Sequence, residues 1–253
     1  MPLPMNIGIY QSASALSALE RWQDSVSQNI ASSQTTAYRK RTVNFSTTKA
    51  GEIQLDPHAR PGSDTGTALI FPQVNTGINF TAGETQATRR DLDVALQGEG
   101  FFEVQLPDGS HAFTRNGQFH LRADRTLVNG AGYEVLTDGG APVTLVPNGS
   151  PLTINPDGTL VQGDISLGKL SVQKFTDPSQ LTPVAGGLFL AAPGVRSQPV
   201  DSPEVLQGYL EASNVTPLRE MVDLVLISRA YEANQKIINT VDQQMQKTLD
   251  ALG

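Results

Sequence analysis

Apolar and small side chains recur at alternating steps of three and four near the start of the chain: Ile9, Ser12, Leu16, Leu19, Gln23, Val26 and Ile30. That rhythm traces one stripe of an α-helix, the kind that seats against a partner helix, and predicts a helix over residues 6–30. The other end repeats it through Leu224, Ile227, Tyr231, Asn234, Ile238, Val241, Met245, Thr248 and Leu252. Thr216 followed by Pro217 marks the start of this second helix, an N-cap residue before a proline whose fixed φ suits the first helical position. Glu220 stands one position too late to complete a capping box, because Arg219 occupies its place. Met221, Val222, Val225, Leu226, Ile237 and Leu249 lie off the main stripe. One partner covers only one stripe, so this helix is expected to need more than one neighbour.

Between the helices the period shortens to two and turn dipeptides multiply. Residues 101–106 read as a strand closed by Pro107-Asp108-Gly109. Asn116-Gly117 separates residues 112–115 from 118–122 and is a hairpin signal. Asn129-Gly130, Asp138-Gly139-Gly140, Asn148-Gly149 and Pro156-Asp157-Gly158 continue the punctuation. The β-branched or Leu-rich runs 133–136, 143–146, 152–154 and 165–175 lie between them. Short strands at this spacing predict an antiparallel all-β domain.

Residues 42–84 have weak periodicity, interrupted by Asp56-Pro57, Arg60-Pro61-Gly62 and Phe71-Pro72. The expected organisation is therefore α+β in four parts: helical residues 1–41, an irregular or extended linker over 42–84, an antiparallel β domain over 85–205, and helical residues 206–253. A domain inserted between terminal helices leaves those helices free to pair as a coiled-coil-like bundle. Charge favours the pairing, since residues 1–45 sum to +2 and residues 201–253 to −4.

Composition narrows the chemistry. Charged residues are 17% of the 253, while Ser, Thr, Asn and Gln make up 71 of them. Such a surface is hydrophilic without strong self-repulsion, which suits subunits that pack against copies of themselves. The net charge of −7 argues against a general nucleic-acid binder, which needs a basic face. The absence of cysteine excludes disulfides, thiolate metal sites and cysteine nucleophiles. No G-x-S-x-G motif is present, and His58, His111 and His120 lack companions at metal-ligand spacing. Gly98-Glu99-Gly100 lacks the third glycine of a dinucleotide fingerprint and precedes a strand, so it reads as a turn. Asp91 and Asp93 are read as structural or solvated carboxylates, and Arg39-Lys40-Arg41 as a solvated basic run. The expectation is a protein that is not an enzyme and uses neither cofactor nor metal. Residues 1–5 carry no basic, apolar or small-residue signal pattern, so no cleaved secretion signal is expected.

The ends also carry longer motifs. Gln28-Asn29-Ile30-Ala31-Ser32 is followed by Thr35-Thr36-Ala37-Tyr38-Arg39-Lys40. Near the other end stand Gln207-Gly208-Tyr209-Leu210-Glu211-Ala212-Ser213-Asn214-Val215 and Arg229-Ala230-Tyr231-Glu232-Ala233-Asn234. In the middle are Asp93-Val94-Ala95-Leu96-Gln97-Gly98-Glu99-Gly100-Phe101-Phe102 and Phe113-Thr114-Arg115-Asn116-Gly117. Together these resemble the bacterial flagellar rod and hook family, particularly its basal-body rod proteins. Asn29, Ala31, Thr35, Ser213, Asn214, Arg229, Ala230, Tyr231 and Glu232 match the family motifs. Ala37 replaces the family's glycine, and a turn with positive φ there would be strained.

The resemblance implies a structural subunit that assembles helically into the shaft transmitting torque from motor to hook. Arg229-Ala230-Tyr231-Glu232 and Gly100-Phe101-Phe102 point to the distal rod; Leu92-Asp93-Val94 and Val215-Thr216-Pro217 are closer to proximal rod members. It further implies a basal-body location across the periplasm and export by the flagellar type III apparatus. The implied partners are further copies of the chain and other rod and hook proteins. The assembly interface is expected at Ile9, Leu16, Leu19, Val26, Ile30, Leu224, Ile227, Tyr231, Ile238, Val241, Met245 and Leu252. Residues 42–84 are expected to bridge neighbouring subunits and set stiffness. A soluble β-domain binding module with a helical clasp is the alternative from a different class.

Overall fold

The computed structural model describes residues 7–54, 66–147 and 149–250. The chain opens with helix α1 (Ile7–Ala31), then strands β1 (Arg41–Gln54), β2 (Gly66–Ile78), β3 (Thr85–Ala87), β4 (Val94–Gln97), β5 (Phe101–Gln105) and β6 (His111–Thr114). Next come β7 (His120–Leu121), β8 (Leu127–Val128), β9 (Glu134–Val135), β10 (Leu152–Ile154), β11 (Thr159–Gln162) and β12 (Ile165–Lys169). The last strands are β13 (Val172–Lys174), β14 (Leu181–Val184), β15 (Leu188–Ala191), β16 (Gln198–Pro199), β17 (Glu204–Gln207) and β18 (Tyr209–Glu211), before helix α2 (Pro217–Asp250). The class is α+β; α1 ends one residue past the predicted Ile30, and α2 starts at Pro217 as its Thr216-Pro217 signal predicts.

The chain divides into two compact units, one of residues 1–31, 41–77 and 216–253 and the other of residues 32–40 and 78–215. In the helical unit, Leu19, Val26 and Ile227 form a buried cluster with Trp22, Ile30, Leu224, Ala230 and Tyr231 against it. The described part of residues 42–84, expected as an irregular or extended linker, contains a two-stranded sheet of β1 and β2. Val43 and Phe45 alternate with polar residues, and the Asp56-Pro57 and Arg60-Pro61-Gly62 breakers fall between the strands instead of within them. Pro72 lies inside β2, whose one partner is β1, so alternate backbone N–H groups of β2 point away from the ladder and a proline at such a position costs no hydrogen bond. Trp22 of α1 stands edge-on to Phe45 of β1 at 5.5 Å, which ties the root of this ribbon to the helix.

The β unit is antiparallel. Its largest sheet runs β14-β15-β6-β5-β9-β8-β7, with β13 paired to β5 and to β16; β10-β11-β12, β17-β4 and β18-β3 form smaller sheets. Phe102, Phe119, Leu127, Leu136, Leu160, Leu170 and Leu188 are fully buried in the core. A second cluster of Phe101, Phe113, Phe175, Leu181 and Phe189 packs its rings at edge-to-face angles.

Two sequence expectations change here. The run 143–146 forms no strand, only isolated bridges beside β8 and β9. Asn116-Gly117 is not a hairpin turn either, because β6 pairs with β5 and β15 while β7 pairs with β8. Gly117 is needed for space. A Cβ there would lie 1.7 Å from the carbonyl oxygen of Val94, and Gly117's own carbonyl accepts from the Val94 amide at 3.0 Å.

Candidate assembly interface

Each apolar position of the helical unit has a distinct fate. Leu19, Val26 and Ile227 are buried, while Leu16, Ile30, Leu224, Tyr231, Ile238 and Val241 are half-buried. Met245 is exposed, and the side chains of Ile9 and Leu252 lie outside the described residues. Gln23, assigned to the stripe by its spacing, faces solvent; Ala18, Trp22 and Ser25 supply the buried or half-buried positions instead. An α-helix turns every 3.6 residues, so a strict three-and-four count drifts off the contact line within a few turns.

The outward side of α2 is the more telling surface. Leu218 is 74% exposed, and Met221, Val222, Val225, Leu226 and Ile237 are each about half exposed. Five of these six are the off-stripe residues named from sequence; the sixth, Leu249, is not described at side-chain level, and Leu218 joins the set instead. Aliphatic groups so exposed along one helix lose roughly 25 cal/mol for every Å² of apolar area left in water. Leu218, Met221, Val222, Val225 and Leu226 lie within the first three turns of α2, and Ile237 about 16 Å further along the axis.

Motif residues organise two local clasps. In the helical unit the Asn29 amide nitrogen donates to Glu220 Oε2 at 2.9 Å and to the Arg41 carbonyl at 2.9 Å, while its Oδ1 accepts from the Arg41 amide at 2.8 Å. Asn29 and Glu220 are both buried. The displaced Glu220 of the failed capping box thus reaches across to the other helix. In the β unit, Asn214 accepts from the Lys40 amide at 2.7 Å and donates to the carbonyls of Asn79 and Thr81 at 2.9 and 2.7 Å. Glu211 takes Arg39 Nη1 at 2.6 Å and the Gly83 amide at 2.8 Å, and its carbonyl receives the Ala37 amide at 2.8 Å.

Arg39 is therefore a buried ion-pair residue, 4% exposed, and not part of a solvated basic run. Arg115 sits 3.6 Å from Glu211 Oε2, donates to the carbonyls of Leu96 and Gly98, and lies over the ring of Phe101. Burial pulls its pKa down to about 10, against the opposing pull of Glu211. Ala37 does adopt positive φ, at 55°, with its methyl buried.

The other motif positions divide between surface and contact. Ala31, Thr35, Arg229 and Glu232 are exposed, Ser213 is half-buried and holds the Val215 amide at 3.2 Å, and Ala230 and Tyr231 face the helix pair. Asp91 is exposed and Asp93 buried with Arg90 at 3.8 Å, so the two carboxylates face different surroundings. His111 bonds Glu103 at 2.7 Å, His120 is exposed, and His58 lies outside the described residues. No group of three metal-ligating side chains occurs among the described residues, and no helix there is long and apolar enough to cross a membrane.

Comparison with known proteins agrees with this geometry. Residues 95–162 match the family model for the flagellar hook protein FlgE/F/G D1 domain, and residues 206–251 match that for the flagellar basal body rod FlgEFG protein C-terminal region. The chain is 32% identical over 252 residues to the flagellar basal-body rod protein FlgF of Caulobacter vibrioides, covering 98% of this chain and 99% of that protein. It is 30% identical over 257 residues to the flagellar basal-body rod protein FlgG of Borreliella burgdorferi, covering 94% and 95%. FlgF of Mesorhizobium japonicum matches at 29% identity over 98% of this chain and 99% of its own. With the terminal helices, the inserted antiparallel domain and both motif clasps in place, the chain belongs to the flagellar basal-body rod protein family.

Proposed function

We propose that this rod subunit polymerises with copies of itself, its two terminal helices forming a coiled-coil-like core and its apolar α2 face seating on a neighbour. The observation that carries the reading is the strip of Leu218, Met221, Val222, Val225, Leu226 and Ile237, left in water although α2 already packs another face against α1. A head-to-tail contact that does not close into a ring produces a helical shaft. Such a shaft transmits torque from motor to hook. Export through the flagellar type III apparatus fits helices that pack on neighbours and gain much of their order in the assembled state. The two-stranded ribbon β1–β2, marginal alone, gains partners in the same assembly and stiffens it.

The test is electron microscopy of basal bodies from a strain lacking the protein beside its parent. Loss of the outer part of the rod assigns the distal position, loss at its inner part the proximal one, and an intact rod overturns the reading. Val222→Asp and Leu226→Asp together should abolish swimming and leave the β unit folded.

A further inference from the structure

α2 carries a second stripe at three-and-four spacing: Leu218, Val222, Val225, Arg229, Glu232 and Lys236, every member exposed. It starts apolar and ends in charges of sign plus, minus, plus. On α1, the exposed Glu20, Arg21 and Asp24 read minus, plus, minus. No salt bridge within the chain engages any of these six charged groups among the described residues.

The spacings match in antiparallel order. Arg229 and Glu232 are three residues apart, as are Asp24 and Arg21, each pair spanning about 4.5 Å of helix axis. Setting Asp24 opposite Arg229 puts Arg21 opposite Glu232 and leaves Glu20 on the side of Lys236, within reach of two long side chains. The same antiparallel sense already exists inside the subunit, where the end of α1 meets the start of α2 at Asn29 and Glu220. An α2–α2 pairing would set Arg229 against Glu232 twice about a two-fold axis; that contact is self-complementary and closes as a dimer.

We infer that the outer charged face of α1 in one copy docks on the second stripe of α2 in the next, Asp24 meeting Arg229 and Arg21 meeting Glu232. This inference rests on the self-assembly proposed above and specifies its contact. The contact is heterologous: each copy offers one α1 face and one α2 stripe, so each added copy leaves a free face for the next, and a helical filament forms where the rotation does not close a ring. Exposed ion pairs add little affinity, but misaligned like charges repel, so the array selects register and partner.

The chain has no cysteine, which makes disulfide trapping clean. Two differently tagged copies, one carrying Asp24→Cys and the other Arg229→Cys, are co-expressed and the purified basal bodies mildly oxidised. A cross-linked species bearing both tags is expected, and the Arg21→Cys with Glu232→Cys combination should give the same. Both tagged chains present in the basal body with neither combination cross-linking overturns the docking and leaves the rod role standing; wild-type chain absent from basal bodies overturns the rod role instead. A second arm needs no cysteine. Asp24→Arg should stop swimming, and Arg229→Asp in the same chain should restore it. A double variant that swims no better than Asp24→Arg alone also overturns the docking.

Discussion

The Asn29 amide donates to the Glu220 carboxylate at 2.9 Å, joining the last turns of α1 to the first turn of α2, with both side chains cut off from solvent. The same amide pairs with both backbone groups of Arg41 as a neighbouring peptide would. One side chain therefore couples helix pairing to the start of β1. A polar pair in an otherwise apolar contact also defines register, because any slip leaves a buried carboxylate without its donor.

Asn29→Ala removes that donor from the buried Glu220 carboxylate. The expected loss is about 2–3 kcal/mol from the helical unit. Glu220→Gln keeps an acceptor and should lose less than half as much. Urea titration followed by far-UV circular dichroism checks both, and equal losses would show that the hydrogen bond does not carry the effect.

Ala37 holds a left-handed conformation that costs an alanine roughly 1–2 kcal/mol. Glycine relieves this but gives back part of it through the freedom of its unfolded chain. Ala37→Gly should therefore stabilise the β unit by about 0.5–1 kcal/mol, seen as a higher urea midpoint. Ala37→Val should move the midpoint the other way.

Gly117 and Gly109 separate two uses of glycine. Gly117→Ala drives a methyl to 1.7 Å from the Val94 oxygen, a backbone atom, and should cost more than about 4 kcal/mol or prevent folding. Gly109 has φ of 82° and open space around its Cα, so Gly109→Ala should cost only about 1 kcal/mol. Thermal unfolding of the two variants side by side tests the ranking.

The turns also dictate the response to acid. Hydrogen bonds from Ser110, Thr159 and Ser179 hold the carboxyls of Asp108, Asp157 and Asp177 below their ordinary range, and the Arg122 hydrogen bond does the same for Asp124. A carboxyl lowered in the folded state adds stability above its unfolded pKa, and that stability is lost as pH falls through the folded value. Urea midpoints of the β unit should be flat from neutrality to about pH 5 and decline below about pH 4. Asp108→Asn combined with Asp157→Asn should make that decline shallower.

Much of this was legible in the residues. The helices announced themselves because their stripes are long and uninterrupted, and Thr216-Pro217 punctuates the second. Residues 42–54 and 66–78 hid their strands because the periodicity is short and a proline sits in one of them. Arg39 could not be read as buried, since only Glu211, far along the chain, makes its burial tolerable. Gly117 looked like a turn glycine because sequence shows which dipeptide is present and not which carbonyl will press on it. Glu220 was the nearest to a visible clue: a capping residue out of place is free to bond elsewhere.

The antiparallel pairing also sets which described parts of the two helices share a pole. With Asn29 level with Glu220, the first described turn of α1 lies near residue 242, about 12 Å along the axis from Asp250, the last described residue of α2. Met245 is exposed in this last stretch of α2. Probes on the exposed Ala13 and Met245 would therefore sit toward one pole of the helical unit, where their separation reports directly on the antiparallel pairing.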